Sequence, residues 1–165
     1  AGAELEGRPG DFAYSFDVAR EAGLRLTAHA GEWGDPARIR ETLTLGVERL
    51  GHGIRAIEDP HLVDLLVERG IVLEVCPGSN VVLKAGDGWD GHAVERRRHG
   101  GVPVTISTDD AAFFHTTMTE ELECLQKAFG WDETDFREMN VTAAKAAFCD
   151  TATRDAILKR LEPTA

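Results

Sequence analysis

Histidine and carboxylate side chains recur in this sequence where apolar runs end. His29 closes the run LTAH, and Glu32 follows three residues later with two small residues between them. His52 lies inside a Gly-His-Gly triplet, and Asp109 and Asp110 follow the run VTIST. Imidazole and carboxylate ligands together suit a borderline divalent ion such as zinc, and a carboxylate beside the metal can transfer protons. The pattern therefore indicates a metal-dependent acid–base site.

Each of these residues also has a structural interpretation. A single histidine at the end of a strand is more often a hydrogen-bonded structural residue than a ligand, and paired aspartates occur in turns. Two adjacent carboxylates in a buried mouth, however, repel each other and lose hydration unless a cation or a donor stabilises them. We expect the other four histidines to have no ligand role, with His61 and His99 on surface helices and His92 and His115 in or near loops.

The segments that carry these groups alternate between two periodicities. Short β-rich runs predict strands at 24–29, 47–53, 71–76 and 102–108, and residues 3–7 could end one more strand. Amphipathic segments predict helices at 10–23, 35–46, 58–70, 91–101, 117–130, 132–149 and 150–161. This alternation indicates βαβ units and a parallel sheet, in which the carboxyl ends of the strands meet on one rim. An open doubly wound sheet and a (β/α) barrel both fit the pattern.

Composition and charge narrow the function classes. The 165 residues carry a net charge of −11, which argues against nucleic-acid binding, and we expect the basic run at 96–98 to be a solvated helix face. No apolar run approaches the roughly 18 residues of a membrane span, and no signal-peptide pattern opens the sequence. The three cysteines are widely spaced and form no CxxC motif, so we expect a reducing, cytoplasmic environment.

Four motifs resemble the adenosine deaminase family of the amidohydrolase superfamily. They are TAHAGE, RLGHG, EVCPGSN and STDD in this order, and the similarity covers residues 1 to about 161. The resemblance implies a TIM barrel and a zinc ion that generates hydroxide from water, which attacks C6 of a purine so that ammonia leaves. The implied enzyme is a hydrolase of a C–N amidine bond that converts adenosine, or a related 6-aminopurine, to inosine and ammonia.

The resemblance also implies a role for each metal-site and proton-transfer residue. His29 and Asp109 would be zinc ligands. Glu32 would protonate N1 of the purine and shuttle protons, and His52 would orient and stabilise the attacking hydroxide. A carboxylate three residues past a ligand, on a turn of small residues, can reach the substrate atom beside the metal.

Two further residues would contact the substrate, a purine nucleoside, in this resemblance. Asp110 would hydrogen-bond the attacking water or a ring nitrogen. Gly7, in the short stretch ELEGRP, aligns with a glycine that contacts the purine through its backbone. One departure is Ala111, which stands where the family usually has Pro. That Pro shapes a loop and takes no part in the chemistry.

A larger departure concerns the remaining metal ligands. The family draws two more zinc ligands from a His-x-His motif, which occurs nowhere in the 165 residues. A complete TIM barrel has eight βα units in about 250 residues, whereas four or five strands are predicted here. We therefore expect residues 1–165 to form the C-terminal half of a metal-dependent deaminase barrel, inactive by itself.

The missing half leaves other hypotheses open. Half a barrel would expose two sheet edges and an apolar inner face, so we expect association with an N-terminal half or between copies. The alternative function is a non-catalytic fragment or subunit that assembles with a partner half-barrel, and a third hypothesis is an unrelated α/β metal-binding domain. The substrate also stays open, because adenine deaminases and aminodeoxyfutalosine-type deaminases share this rim.

Overall fold

A four-stranded parallel sheet lies at the centre of the computed structural model, which describes residues 4–95 and 100–163. The strands are β1 Thr27–Ala30, β2 Arg49–His52, β3 Val72–Val75 and β4 Val104–Ile106. They lie in the sheet in the order in which they occur along the chain. A doubly wound sheet reverses its strand order at a switch point, whereas a barrel keeps one direction. The predicted α/β fold of barrel type is therefore confirmed.

Helices fill the connections between the strands. The α-helices are α1 Ala13–Glu21, α2 Pro36–Leu43, α3 Pro60–Arg69, α4 Pro77–Leu83, α5 Ala111–Phe114, α6 Met118–Phe129, α7 Glu133–Ala146 and α8 Thr151–Arg160. Two short 3-10 helices span Pro9–Phe12 and Ile54–Glu58. None of the helices in the described part of the chain combines the length and the apolarity needed to cross a membrane.

The predicted helix starts after β1 and β2 are confirmed in detail. The Asp35 carboxylate accepts the backbone N–H of Arg38 at 3.1 Å, and α2 begins with a proline. The Asp59 carboxylate accepts the N–H groups of His61 at 3.0 Å and Leu62 at 3.2 Å. These side chains satisfy amide groups that have no partner in the first helical turn, and proline is preorganised for that turn.

Three secondary-structure predictions need correction. Residues 4–7 form a turn, so the described part of the predicted first strand is not a strand. Of the helix predicted at 91–101, residues 93–95 are helical, while the basic run and His99 lie outside the described residues. No helix is predicted directly after β3, but this stretch forms α4, which has Pro77 in its first turn.

The two faces of the sheet differ in polarity. Ala30, Leu50 and Leu73 on one face are buried under the helices, together with the other core residues Ile39, Leu62, Leu66, Val75, Val104 and Leu125. The side chains of Thr27 and Glu74, on the opposite face, are joined by a 2.8 Å hydrogen bond. The Glu74 carboxylate also forms a 3.2 Å ion pair with Arg49.

The polar face corrects the expectation of an apolar inner surface. Strands of a parallel sheet that are covered on both faces are usually near-continuous apolar runs. Here Glu74 interrupts β3, and its carboxylate is satisfied by groups on the two preceding strands. The register that pairs Thr27 with Arg49 places these strands side by side. The inner face is therefore held together by ion pairing and hydrogen bonding across strands.

The segment after α7 packs against the base of this polar face. The guanidinium carbon of Arg49 lies 3.6 Å from the centre of the Phe148 ring, and that of Arg25 lies 4.4 Å from it. A cation over an aromatic face is attracted by the ring quadrupole. In barrels the end opposite the active-site rim contributes to stability.

Gly31 offers a test of how tightly α2 is packed behind β1. Its φ is +75°, and an added Cβ would overlap the Ile39 side chain, whose Cγ1 would lie 2.8 Å away. Gly23 has a φ of +76° but no atom within 4 Å of an added Cβ. We expect Gly31→Ala to lower the free energy of unfolding by about 3 kcal/mol and Gly23→Ala by about 1 kcal/mol, because only the first adds overlap to backbone strain. Urea denaturation measures the free energy of unfolding of both variants. Equal losses in the two would contradict the tight packing of α2 behind β1.

Candidate active site

The His29 imidazole lies across the neighbouring strand. The parallel register pairs His29 with Gly51, and a Cβ at position 51 would lie 3.0 Å from the Cγ atom of the His29 ring. A glycine is therefore required for the ring to cover β2 at this point. The same placement brings the His29 ring to 5.1 Å, centre to centre, from the ring of His52.

Two of the candidate site residues have an uncommon backbone conformation. His52 and Asp109 each have a φ of +59°, although neither is glycine. Non-glycine residues in this region are strained, and they cluster at active sites and ligand-binding positions. The Gly53 N–H donates to the Ala30 carbonyl at 2.9 Å, which ties the strained turn to β1.

The His52 imidazole is fully buried and has polar neighbours on both sides. Its Nδ1 atom lies 3.1 Å from Nδ2 of Asn80. Its Nε2 atom lies 3.6 Å from Oε2 of Glu32 and 3.8 Å from Oδ2 of Asp109. Burial, followed by the proximity of His29, lowers the pKa of His52 below its ordinary value. The ring is consequently neutral at neutral pH.

The Glu32 carboxyl group has the opposite shift. Burial raises its pKa to about 7, and the negative charges of Asp109 and Glu4 add to that rise. Its Oε1 atom is buried and has no hydrogen-bond partner among the described residues. A carboxyl group with a pKa near 7 can both donate and accept a proton at neutral pH, as general acid–base catalysis requires.

Asp109 and Cys76 also lie close to His52. Ser79 donates a hydrogen bond from Oγ to Oδ2 of Asp109 at 2.7 Å. His52, Cys76 and Asp109 each offer a donor atom, and these atoms all lie within 4.8 Å of one another. Burial raises the pKa of the Cys76 thiol to about 12, so the thiol is protonated when no metal ion is bound. His29 is not part of this group but lies against the His52 ring.

The two residues predicted to contact the purine lie at the margins of the site. Asp110 is exposed, and its carbonyl accepts the N–H groups of Phe113 and Phe114 at 2.9 Å each at the start of α5. Gly7 lines a small cavity of about 50 Å³ together with Glu4 and His29. The structure thus brings Gly7 toward the His29 side of the site and Asp110 to the edge next to Asp109.

The other histidines have different environments. His61 and His115 are exposed, as expected of residues without a ligand role. His92 is buried, which its predicted position near a loop did not indicate, and its Nδ1 atom accepts the Val94 N–H at 3.2 Å.

Sequence reasoning missed three polar residues that support the site. The Glu4 carboxylate accepts the backbone N–H groups of Gly31, Glu32 and Trp33, the last two at 3.1 and 2.7 Å. The others are Ser79 and Asn80, which are fully buried in α4. Both belong to the motif EVCPGSN, so the motif marked their region, but no spacing rule connects them to Asp109 and His52.

The profile of the family described as adenosine deaminase matches residues 1–164. The chain belongs to the adenosine deaminase family. The resemblance inferred from the four motifs is therefore confirmed.

Curated members of this family that resemble the chain are named adenine deaminase. One from Rhizobium rhizogenes (strain K84) is 48% identical over 162 residues, which cover 98% of this chain and 50% of the relative. Another, from Chelativorans sp. (strain BNC1), is 45% identical over 164 residues, covering 99% and 50%. The chain spans about half the length of the curated relatives it matches.

Solved structures of the superfamily agree with the fold. The adenine deaminase from Arthrobacter aurescens superimposes with a TM-score of 0.94 at 34% identity, over 98% of this chain and 50% of that protein. An amidohydrolase from Burkholderia ambifaria with bound Zn has a TM-score of 0.88 at 26% identity, over 98% and 46%. The four strands and their helices thus correspond to half of a TIM-barrel deaminase.

The raised pKa of Glu32 predicts a pH dependence of stability. The folded chain binds this proton more tightly than the unfolded chain, so ionising Glu32 destabilises the fold as the pH rises from about 4.5 to about 7. We expect the stability of Glu32→Gln relative to the native chain to increase over this interval and then level off. Urea denaturation with a chelator at each pH measures the difference, with Glu68→Gln at an exposed position as control. A stability difference between Glu32→Gln and the native chain that does not change with pH would contradict the raised pKa of Glu32.

Proposed function

We propose that the chain forms the proton-transfer side of a zinc-dependent hydrolytic deaminase acting on a 6-aminopurine. The observation that carries the proposal is the partly buried Glu32 carboxyl group with a pKa of about 7, beside His52. Adenine is the first substrate to test, because the similar relatives are named adenine deaminase. Adenosine is the second, because the family profile is described by that substrate.

The donor set of the site is compatible with zinc. An imidazole at position 29 and a carboxylate at position 109 are ligand types that zinc accepts. His29 and Asp109 would hold the ion, and a complete site would need further ligands from outside this chain. Bound zinc supplies a strong nucleophile by lowering the pKa of water from about 15.7 to about 7.

Glu32 carries the proton that the reaction requires. In its protonated form it donates to N1 of the purine, which makes C6 electron-poor and receptive to attack by water. In its ionised form it accepts a proton and returns it to the leaving amino group. Ala30 and Gly31, which precede Glu32, are small, and the Glu4 carboxylate holds the turn through three backbone N–H groups.

His52 and the two substrate-contact residues complete the assignment. The neutral His52 ring hydrogen-bonds the incoming oxygen atom and stabilises the charge that develops there. Asp110 hydrogen-bonds the attacking water or a ring nitrogen, and the backbone of Gly7 contacts the purine from the His29 side of the site.

The overall reaction is a balanced hydrolysis. Water adds its oxygen to C6 of the purine, and the bond between C6 and the exocyclic nitrogen breaks. One proton of the water goes to the amino group, which leaves as ammonia, and the other is balanced by the proton that remains on N1 of the 6-oxopurine product. Adenine would give hypoxanthine, and adenosine would give inosine. No oxidant, reductant or activated co-substrate is needed.

Ammonia release tests the function. The chain should be assayed with adenine, adenosine and deoxyadenosine, first alone and then joined to the remaining barrel strands of a relative, with zinc added. We expect release from at least one substrate in the completed barrel and a loss of about 10²–10⁴-fold in Glu32→Gln with zinc retained. Absence of release from all three would contradict the proposal and favour a non-catalytic subunit that assembles with a partner half-barrel.

Elemental analysis tests the metal ligands separately. In the completed barrel, His29→Ala and Asp109→Ala should each lower the zinc content at least about tenfold, because each removes a ligand that cannot be replaced locally. His61→Ala removes an exposed histidine and should keep full zinc occupancy. Equal zinc content in all three variants would overturn the ligand assignment.

A further inference from the structure

Asn80 lies behind His52, away from the position proposed for the substrate. Both side chains are fully buried, and Nδ2 of Asn80 is 3.1 Å from Nδ1 of His52. A neutral imidazole has one N–H donor and one acceptor nitrogen, and the partner of one nitrogen determines the role of the other. The chemistry available at Nε2 therefore depends on the hydrogen bond at Nδ1.

The groups near Nε2 indicate which nitrogen carries the proton. Oε2 of Glu32 lies 3.6 Å away and Oδ2 of Asp109 lies 3.8 Å away, and both are acceptors when these groups are ionised. A bare lone pair on Nε2 of the buried His52 ring would face two anionic oxygens, which is electrostatically unfavourable. A proton on Nε2 would instead interact favourably with both.

We infer that Asn80 is a positioning residue that donates from Nδ2 to Nδ1 of His52 and so holds the imidazole with its proton on Nε2. This inference adds a residue to the proposed function and rests on that function for its catalytic consequence. His52 then presents an N–H group to the incoming oxygen and does not act as a base at Nε2. Proton acceptance from water is left to Glu32.

The position of Asn80 is determined by α4. The Asn80 N–H donates to the Cys76 carbonyl at 3.0 Å, and the Ala85 N–H donates to the Asn80 carbonyl at 2.9 Å. The buried Glu121 carboxylate accepts the Gly78 N–H at 2.9 Å, and a side chain at position 78 would overlap that carboxylate.

The neighbouring residue Ser79 contacts the other strained strand end through its hydrogen bond to Asp109. One turn of α4 therefore supports His52, the last residue of β2, and Asp109, which follows β4. Asn80 is thus rigidly placed, and rotation of its amide group is the remaining freedom that could alter its donor role.

Nitrogen-15 NMR of the chain, labelled at histidine and asparagine and measured at pH 8.5 with a chelator, reads out the tautomer directly. We expect the His52 signals to show a protonated Nε2 and a scalar coupling between Asn80 Nδ2 and His52 Nδ1 across the hydrogen bond. His52→Asn identifies the signals by their loss. A protonated Nδ1, or no coupling to Asn80, would overturn the inference.

Asn80→Asp changes the donor into an acceptor with almost no change in shape. We expect the proton of His52 to move to Nδ1, and Asn140→Asp, the same chemical change at an exposed site, to leave the tautomer unchanged. Asn80→Leu provides a neutral variant without a donor, and the coupling at Nδ1 should disappear in it. A tautomer in Asn80→Asp identical to that of the native chain would also overturn the inference.

The catalytic consequence is measured in the completed barrel. Asn80→Asp should lower kcat at least about tenfold with less than a twofold change in KM and unchanged zinc content, and Asn140→Asp should alter neither constant. A purely structural effect would instead lower zinc content or raise KM. If the NMR result holds but no purine is deaminated, the proposed function fails and the positioning role of Asn80 stands.

Discussion

The parallel register between β1 and β2 is the constraint on which the candidate site depends. It pairs His29 with Gly51 and Ala30 with His52, so the two imidazoles leave the sheet beside each other. The missing side chain at position 51 leaves room for the His29 ring to lie over β2. A slip of one residue would turn the side chains of a strand to the opposite face. The core face and the site are therefore specified by the same hydrogen bonds.

Burial then determines the charge states within this frame. Loss of hydration disfavours the charged form of any group, so it lowers the pKa of His52 and raises the pKa of Glu32 and of Cys76. The consequence is a neutral imidazole, an inert thiol and one carboxyl group poised near neutral pH. Burial thus distinguishes Glu32, which can exchange protons at neutral pH, from His52 and Cys76, which orient or support other groups.

Several features of the site are unfavourable for stability and are concentrated at the strand ends. His52 and Asp109 have positive φ values, and buried oxygens of Glu32 and Asn80 lack hydrogen-bond partners among the described residues. Buried polar groups are normally paired, and strain is normally relieved, unless a ligand or a reaction makes use of them. Strained backbone and buried oxygens without partners occur together at this rim. This combination distinguishes the site from an ordinary polar patch such as the ion-paired base of the sheet.

The sequence by itself determined the order of the four strands and of most of the helices, the capping of helices by Asp35 and Asp59, the motifs of the family and the rim that carries them. These features depend on local periodicity and on residue types that act within a few positions. Tertiary structure alone decided that residues 4–7 form a turn, that Glu74 makes the inner face polar, and that Asn80 contacts His52. The hydrogen bonds of Glu74 with Thr27 and of Asn80 with His52 join residues 47 and 28 positions apart, and only the packed sheet and its helices bring them within hydrogen-bonding distance.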